Sequence, residues 1–393
     1  MDPLRNPFSM SAGNPPAALT GREEQIEQFK RLLGRLANGR NEQSMIVSGL
    51  RGVGKTVLLL EFESIAEREG WTSAEPIEIR SDTNFRAEMG SAVYEALMRL
   101  DRRRALGERL KRFLGLLDRF KAGISSDGSV ELSIDTARKD QDENLERDLR
   151  LLLVELGEAA QGHETGVVLL VDEMQFLARG ELEAIAASMH RLSQRQLPVA
   201  LAGTGLPQLP GLLVEAKSYA ERLFSYPRLG ALSVDAARAA LVWPAEEEGV
   251  TFDEDALERI VAVSGGYPTF IQAYGREAWN VAPAGRITLA DVEACEAIVQ
   301  DKLDEEFFHV RFEKATPRER RYMAAMAVIG DGPYRRSEVA DRLGSTLPAT
   351  SSVRDTLIKK GLIYSPDHGV VDFTVPHFAP FMRRRYPFTE GSD

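Results

Sequence analysis

The chain has 393 residues, of which 43% are hydrophobic and 28% charged; this is the composition of a folded globular protein too long for one ordinary core, so two or three domains are expected. Sixty acidic against 49 basic residues give a net charge of −11, which excludes a surface that coats nucleic acid uniformly and leaves only a local basic patch for such contact. The single cysteine, Cys295, excludes an intramolecular disulfide and reads as a small buried apolar side chain. No apolar stretch approaches the roughly 18 residues of a membrane span, so a cytoplasmic chain without membrane contact is expected.

In chain order, residues 1–16 read as a flexible proline-rich lead-in. Residues 44–50, "SMIVSGL", form a short apolar run that enters glycines and reads as a buried strand. Residues 56–69 carry apolar positions at helical spacing. "AEPIEIRS", residues 74–81, is a second strand, and a long charged helical stretch follows it. "KAGISSDGSVELSID" alternates about Asp127 and Gly128, a hairpin signal, inside an insertion at about 100–147. "TGVVLLVDE", residues 165–173, is an almost wholly apolar run that suits a parallel strand covered on both faces. A helix over about 180–195 precedes the strand "LPVALAGTG", and a last short strand is expected in 226–232. Strands alternating with helices predict an α/β fold over 17–232, a parallel sheet with helices on both faces.

From about residue 233 the strands are expected to stop, and capped helices with glycine breaks predict a helical unit over 233–311. Over 312–393 three compact helices and a hairpin centred on residues 367–369 predict a winged helix-turn-helix.

The loop between the first strand and its helix carries the chemistry. Gly49, Gly54, Lys55 and Thr56 match G-x-x-x-x-G-K-[ST], the phosphate-cradling loop of P-loop NTPases. Its backbone N–H groups, with Gly52 and Val53 in the loop and Val57 opening the helix, surround phosphate oxygens. Lys55 supplies a cation for the β- and γ-phosphates, the Thr56 hydroxyl reaches Mg²⁺, and the helix adds its N-terminal dipole. The cofactors are therefore ATP or ADP and Mg²⁺. Asp172, ending a neighbouring hydrophobic strand, suits the metal's water shell, and Glu173 is placed to orient or deprotonate an attacking water. Thr204 ends the next strand and is a candidate hydroxyl between phosphate and water, although a threonine there is commonplace. Arg222 is a candidate arginine finger, in cis or from a neighbouring subunit, with a surface salt bridge as the equal alternative. Arg51, mid-loop, has no assigned role.

The tail reverses the sign of the charge. Over 316–386 there are 12 basic and 7 acidic residues, near +5, against about −16 for the remainder. That pattern suits a DNA-contacting module, with Ser351, Ser352 and Arg354 facing a groove and Arg335, Arg336, Lys359 and Lys360 adding positive charge. The bland reading is equally physical: such modules also contact proteins, Lys359 and Lys360 suit a helix C-terminus, and "FMRRRYP" suits holding the tail to the acidic core.

The succession "LTGREEQI", "GLRGVGKT", "LLVDEMQ", "LAGTG" and "SGGYPTFIQ", ending in a winged helix, resembles the AAA+ and STAND-related P-loop ATPases, nearest to the bacterial and archaeal ATPases akin to origin-recognition initiators. The resemblance spans about residues 15–386. It implies that Arg22, within residues 21–23, lies near the adenine, that Thr204 is the polar sensor, and that Pro268 of "GGYP" packs on the base and sugar. The initiators usually carry an arginine in this lid, and its absence here implies slow, switch-like turnover. Two functions follow: a nucleotide-dependent switch that binds double-stranded DNA, or a STAND-type signalling switch whose winged helix serves autoinhibition, a regulatory protein or self-association.

Overall fold

A computed structural model describes residues 1–10, 16–101, 115–117, 122–124, 130–132 and 142–389. Its centre is a parallel sheet. From one edge to the other, the strands are Thr72–Ser73 with Ile77–Glu78, Val167–Asp172, Val199–Gly205, Ser44–Gly49, and Phe224–Ser225 with Arg228–Leu229. Leu170 pairs with Ala202 and Val47 with Thr204, so the ends of the three central strands lie side by side. Both edges are shorter than the sequence suggests. The second predicted strand is reduced to two-residue pairings because only one neighbour, Val167–Asp172, is there to hold it.

The uninterrupted apolar run of Val167–Asp172 is explained by its two faces. Val167, Leu169 and Val171 join the cluster formed with helices Phe85–Asp101, Asp142–Gly162 and Arg179–Gln194. Val168 and Leu170 join the opposite cluster with helices Glu23–Ala37 and Lys55–Arg68, where Phe29 stacks on Phe62 with ring centroids 4.2 Å apart. A strand buried on both faces loses its polar alternation. Strands Ala122–Ile124 and Val130–Leu132 pair antiparallel, while the predicted turn at Asp127 and Gly128 lies outside the described residues.

Three further departures from expectation concern the second half of the chain and the N-terminal lead-in that packs on it. Strands do not stop at 233: between helices Val234–Glu247, Glu254–Ser264, Pro268–Val281 and Leu289–Lys302, Thr251–Phe252 pairs parallel with Arg286–Ile287. Two residues are too few to leave a periodic signal. Nor does the core break near residue 311. One hydrophobic cluster runs from Ala237 to Met382 and includes Phe308, Phe312, Phe378 and Phe381, with Phe308 stacked on Phe381 at 5.1 Å. The helical region and the C-terminal elements thus share a core. Helices Pro317–Ile329, Arg336–Arg342 and Leu347–Lys359 precede strands Ile363–Tyr364 and Val370–Phe373, which pair antiparallel with Tyr334–Arg335 at the other edge, and helix Phe378–Arg385 closes the chain. Among the described residues no helix is long and apolar enough to cross a membrane. Cys295 is buried, and burial pushes its thiol up to about 12.

The third departure is the lead-in, predicted as flexible. Residues 1–10 are packed on the helical region: the Met1 ammonium donates to Ala282 O at 2.6 Å, Asn6 donates to Arg276 O, and Phe8 is buried against Gly275, where a Cβ would sit 2.9 Å from its ring. One aromatic side chain over a glycine outweighs the polar, proline-rich composition around it. Phe8→Ala is expected to cost about 3 kcal/mol, read as a lowered midpoint in denaturant at unchanged m-value.

Candidate functional site

The site forms where the central strands end. Strand Ser44–Gly49 runs into the loop 50–54, in which Gly52 (φ 80°) and Gly54 (φ 89°) take left-handed conformations that a side chain would strain, and helix Lys55–Arg68 begins directly after. Val53 is buried, Val57 is half-buried and Thr56 faces outward. Lys55 is 6% exposed and its Nζ donates to the carbonyls of Gly49 (3.1 Å) and Leu50 (2.9 Å). Burial pulls the ammonium down to about 8; Glu173 and Asp172 oppose that fall and Arg51 adds to it. A desolvated ammonium satisfied by carbonyls alone is ready to exchange them for an anion.

Asp172 is the hub. Its Oδ2 accepts from the Thr56 hydroxyl at 2.6 Å, and its Oδ1 accepts from the Thr204 hydroxyl and from the Glu173 backbone N–H at 2.8 Å. The sequence elements bearing Thr56, Asp172 and Thr204 are more than thirty residues apart in every case and meet because their strands are neighbours. The hydroxyl and carboxylate are hard oxygen donors of the kind Mg²⁺ takes beside phosphate and water.

Glu173 adopts φ 55°, ψ 37°, a left-handed conformation costing a non-glycine residue about 1–3 kcal/mol, which turns its side chain out of the strand line toward the loop. There its carboxylate pairs with Arg51 at 3.3 Å and accepts from the Gln175 amide. Gln175 Oε1 in turn accepts from Leu206 N at 2.9 Å, tying Glu173 to the turn after Thr204.

The remaining expected residues divide. Arg22 is buried, and its guanidinium is spent on backbone carbonyls: Nη2 donates to Val53 and Gly230 at 3.0 Å each and Nη1 to Gly21 at 3.1 Å, so it clasps the loop from its rim. Burial lowers its pKa against the attraction of Glu23. Pro268 opens helix Pro268–Val281, and its neighbour Thr269 binds the loop, with Oγ1 donating to Gly52 O at 3.1 Å. Arg222 is not brought to the site. It is exposed beside Phe224, which pairs with Ser44 at the start of the strand whose other end feeds the loop, roughly 17 Å away at the usual strand rise.

Four partners of the site escaped sequence reading. Arg51, unassigned, links the loop to the C-terminal elements: its N–H donates to Thr374 O at 2.9 Å and its Nε to Gly361 O at 3.5 Å. Gln175 and Thr269 are ordinary polar residues one or two positions past a motif, with adjacency to Glu173 and Pro268 as the only signal. Arg311 lies more than 250 residues from the loop and belongs to no motif in the sequence, yet in the fold its charge is felt alongside those of Arg51 and Glu173.

The basic tail is largely paired internally. Arg354 bonds Asp355, Lys360 Nζ donates to Glu319 Oε2 at 2.7 Å, Arg383 pairs with Asp331, and Arg384 and Arg385 both hold Asp304, at 2.7 and 2.9 Å. The arginine run therefore anchors the tail to the helical region, and not, as expected, to the acidic core. Ser351 returns its hydroxyl to Leu347 O, and Ser352 is exposed. Among the described residues Arg335, Arg336 and Lys359 enter no ion pair.

Residues 18–201 match the AAA ATPase domain family, and residues 305–382 match a domain of unknown function (DUF8462). Among solved structures the chain is similar to the Walker-type ATPase PABY2304 of Pyrococcus abyssi, at 18% identity and a TM-score of 0.55 over 95% of this chain and 99% of that one. It is also similar to the Orc1 protein of Aeropyrum pernix, solved in complex with DNA, at 18% identity and a TM-score of 0.47 over 94% of each chain. A third likeness is to the RuvB Holliday junction branch migration motor of Thermotoga maritima, at 15% identity and a TM-score of 0.46 over 90% of this chain and 92% of that one. No curated protein matches its sequence. The parallel sheet, the glycine loop after the strand Ser44–Gly49 and the likeness to the Pyrococcus ATPase agree: this chain has a P-loop NTPase fold, and its residues 18–201 match the AAA ATPase domain family.

Proposed function

We propose that the protein is an ATP-binding and ATP-hydrolysing switch in which the nucleotide controls how the C-terminal elements, read as a winged helix over 312–393, dock on the P-loop. The observation that carries this reading is Arg51. One residue of the phosphate loop holds Thr374 O and Gly361 O of the C-terminal elements and Glu173 of the candidate catalytic pair. A triphosphate seated in the loop competes both for the Arg51 guanidinium, which holds Gly361 O and Glu173, and for the loop N–H groups, among them the Arg51 N–H that holds Thr374 O, so nucleotide binding and docking draw on the same residue.

The roles follow from the contacts. The loop N–H groups bind phosphate oxygens, and Lys55 moves from the Gly49 and Leu50 carbonyls to the β- and γ-phosphates. Thr56 and Asp172 would hold Mg²⁺, which neutralises phosphate charge when bound. Thr204 fixes the Asp172 carboxylate, and Glu173, released from Arg51, accepts a proton from the attacking water. Thr269 and Pro268 close the helical lid over the loop.

Undocking leaves Arg335, Arg336 and Lys359 available to duplex DNA, the partner this reading favours. The second reading, a STAND-type switch contacting a regulatory protein or another copy, is favoured by the internal pairing of Arg354, Lys360 and the 383–385 arginines. Duplex affinity of the full chain, measured over a salt series with ATP analogue, with ADP and without nucleotide, separates them. Three phosphate contacts predict a log–log salt slope of about −2.7, with tighter binding in one nucleotide state. Affinity indifferent to salt and nucleotide removes DNA as the partner.

A further inference from the structure

Among the described residues Arg311 forms no ion pair, and it lies half-buried next to the phosphate loop. It belongs to the short helix Val310–Phe312, just after the seven-residue π-helical stretch Leu303–His309, where the helical region passes into the C-terminal elements. Its guanidinium lies over the Phe307 ring, 4.1 Å from the centroid, and donates to Phe307 O. That same ring abuts the loop: Phe307 Cζ would stand 3.4 Å from a Cβ placed on Gly52. Arg311 is therefore one aromatic ring away from the middle of the P-loop, on a rigid stack.

Its electrostatic surroundings are unusual for an arginine. Among the described residues it forms no ion pair, and burial lowers it to about 10, with Arg51 pressing in the same direction and Glu173 opposing. Glu173 is already engaged by Arg51 at 3.3 Å. Lys55, Arg51 and Arg311 thus face two carboxylates, Asp172 and Glu173, of which Asp172 is saturated by three donors. Arg51 and Arg311 disfavour each other's charge, only Arg51 pairs with Glu173, and the surplus positive charge beside the loop suits an anion. Arginine's planar fork, here over an aromatic ring that abuts the loop, is well suited to phosphate oxygens.

The geometry points to Arg311 as a contact in cis for the terminal phosphate of ATP, making the junction between the helical region and the C-terminal elements the part of the chain that tells ATP from ADP. This rests on the ATP-binding reading above. The terminal phosphate is singled out because Glu173, the group that would face the attacking water, is the carboxylate felt by Arg311. The role expected of Arg222, which lies at the far end of the sheet, and of a lid arginine that the "GGYP" turn lacks, falls in this way to a residue outside both motifs.

The test is calorimetric titration of the full chain with Mg²⁺ and either ADP or a non-hydrolysable ATP analogue, for the parent, Arg311→Met and Arg311→Lys. Arg311→Met keeps an unbranched stem on Phe307 and is expected to weaken the analogue about 30-fold while ADP changes less than about twofold; Arg311→Lys is expected to recover part of the analogue's affinity. Equal loss for both nucleotides assigns Arg311 to packing, and no loss removes it from the site; either overturns the inference. If Arg311→Met melts in the nucleotide-free state at the assay temperature, Arg311→Lys decides, since a preserved parent ratio of analogue to ADP affinity also overturns it. A parent that binds neither nucleotide, or a Lys55→Ala variant that binds like the parent, refutes the nucleotide reading instead.

Discussion

Lys55→Ala is expected to remove measurable nucleotide binding. In the structure the Lys55 ammonium is desolvated and satisfied only by Gly49 and Leu50 carbonyls, so its whole interaction with a triphosphate is gained on binding. Losing a buried charge-assisted contact of this kind costs about 3 kcal/mol or more, at least two orders of magnitude in Kd. Titration with a fluorescent ATP analogue checks it, and unchanged affinity would sink the pocket assignment. The fold should survive, because alanine is a good helix former at the first position of Lys55–Arg68 and leaves no ion pair broken.

The same side chain sets a pH dependence whose sign can be worked out. Burial brings the ammonium down to about 8, so the nucleotide-free site loses its proton above that pH while the bound site keeps it against phosphate. Nucleotide affinity is therefore expected to fall about tenfold per pH unit above about 8, with proton uptake on binding visible as a buffer-dependent heat. The stability of the nucleotide-free protein moves the other way. A lysine whose folded pKa lies below its unfolded value penalises the fold while protonated in the unfolded chain, and this penalty lessens as pH rises from about 8 towards the unfolded value.

Glu173→Gln is expected to bind nucleotide as the parent does and to hydrolyse it 10²- to 10⁴-fold more slowly, about the contribution of a positioned general base. The amide is isosteric and keeps an oxygen for Arg51, so the loop contact and the left-handed backbone at 173 are retained. Single-turnover hydrolysis measures it. Turnover at the parent rate would show that another group positions the water.

The legibility of the site followed from chain proximity. Gly49, Gly54, Lys55 and Thr56 act through a loop whose geometry is local, and Asp172 and Glu173 end an apolar run that only a doubly covered strand explains, so residue type and spacing identified both. The parallel sheet was legible for the same reason: strand and helix periods alternate along the chain. Thr204 was a weaker reading that pairing with Val47 converts into a contact with Asp172. Short elements were not legible. Thr251–Phe252 and Arg286–Ile287 hold each other across 35 residues with two pairings, and residues 1–10 are ordered by Phe8 filling the space left by Gly275.

What the sequence determined by itself is the chemistry that a contiguous segment can hold: a phosphate loop, a carboxylate pair at a strand end, a parallel sheet to bring them together, and a tail of opposite charge. What only the tertiary structure decided is which charges remain unspent. Arg222 was a candidate by its place in the chain and is excluded in cis by the length of one strand; Arg354 and Lys360 were candidates and are neutralised by Asp355 and Glu319, while the arginines at 383–385 are held by acids up to 84 residues away. Arg51, a variable position of the loop itself, and Arg311, which no motif marks and which most of the chain separates from that loop, are left facing the site because packing, not spacing, sets their partners. Coulomb interactions depend on distance in space and on exclusion of water, and neither is written in the order of residues.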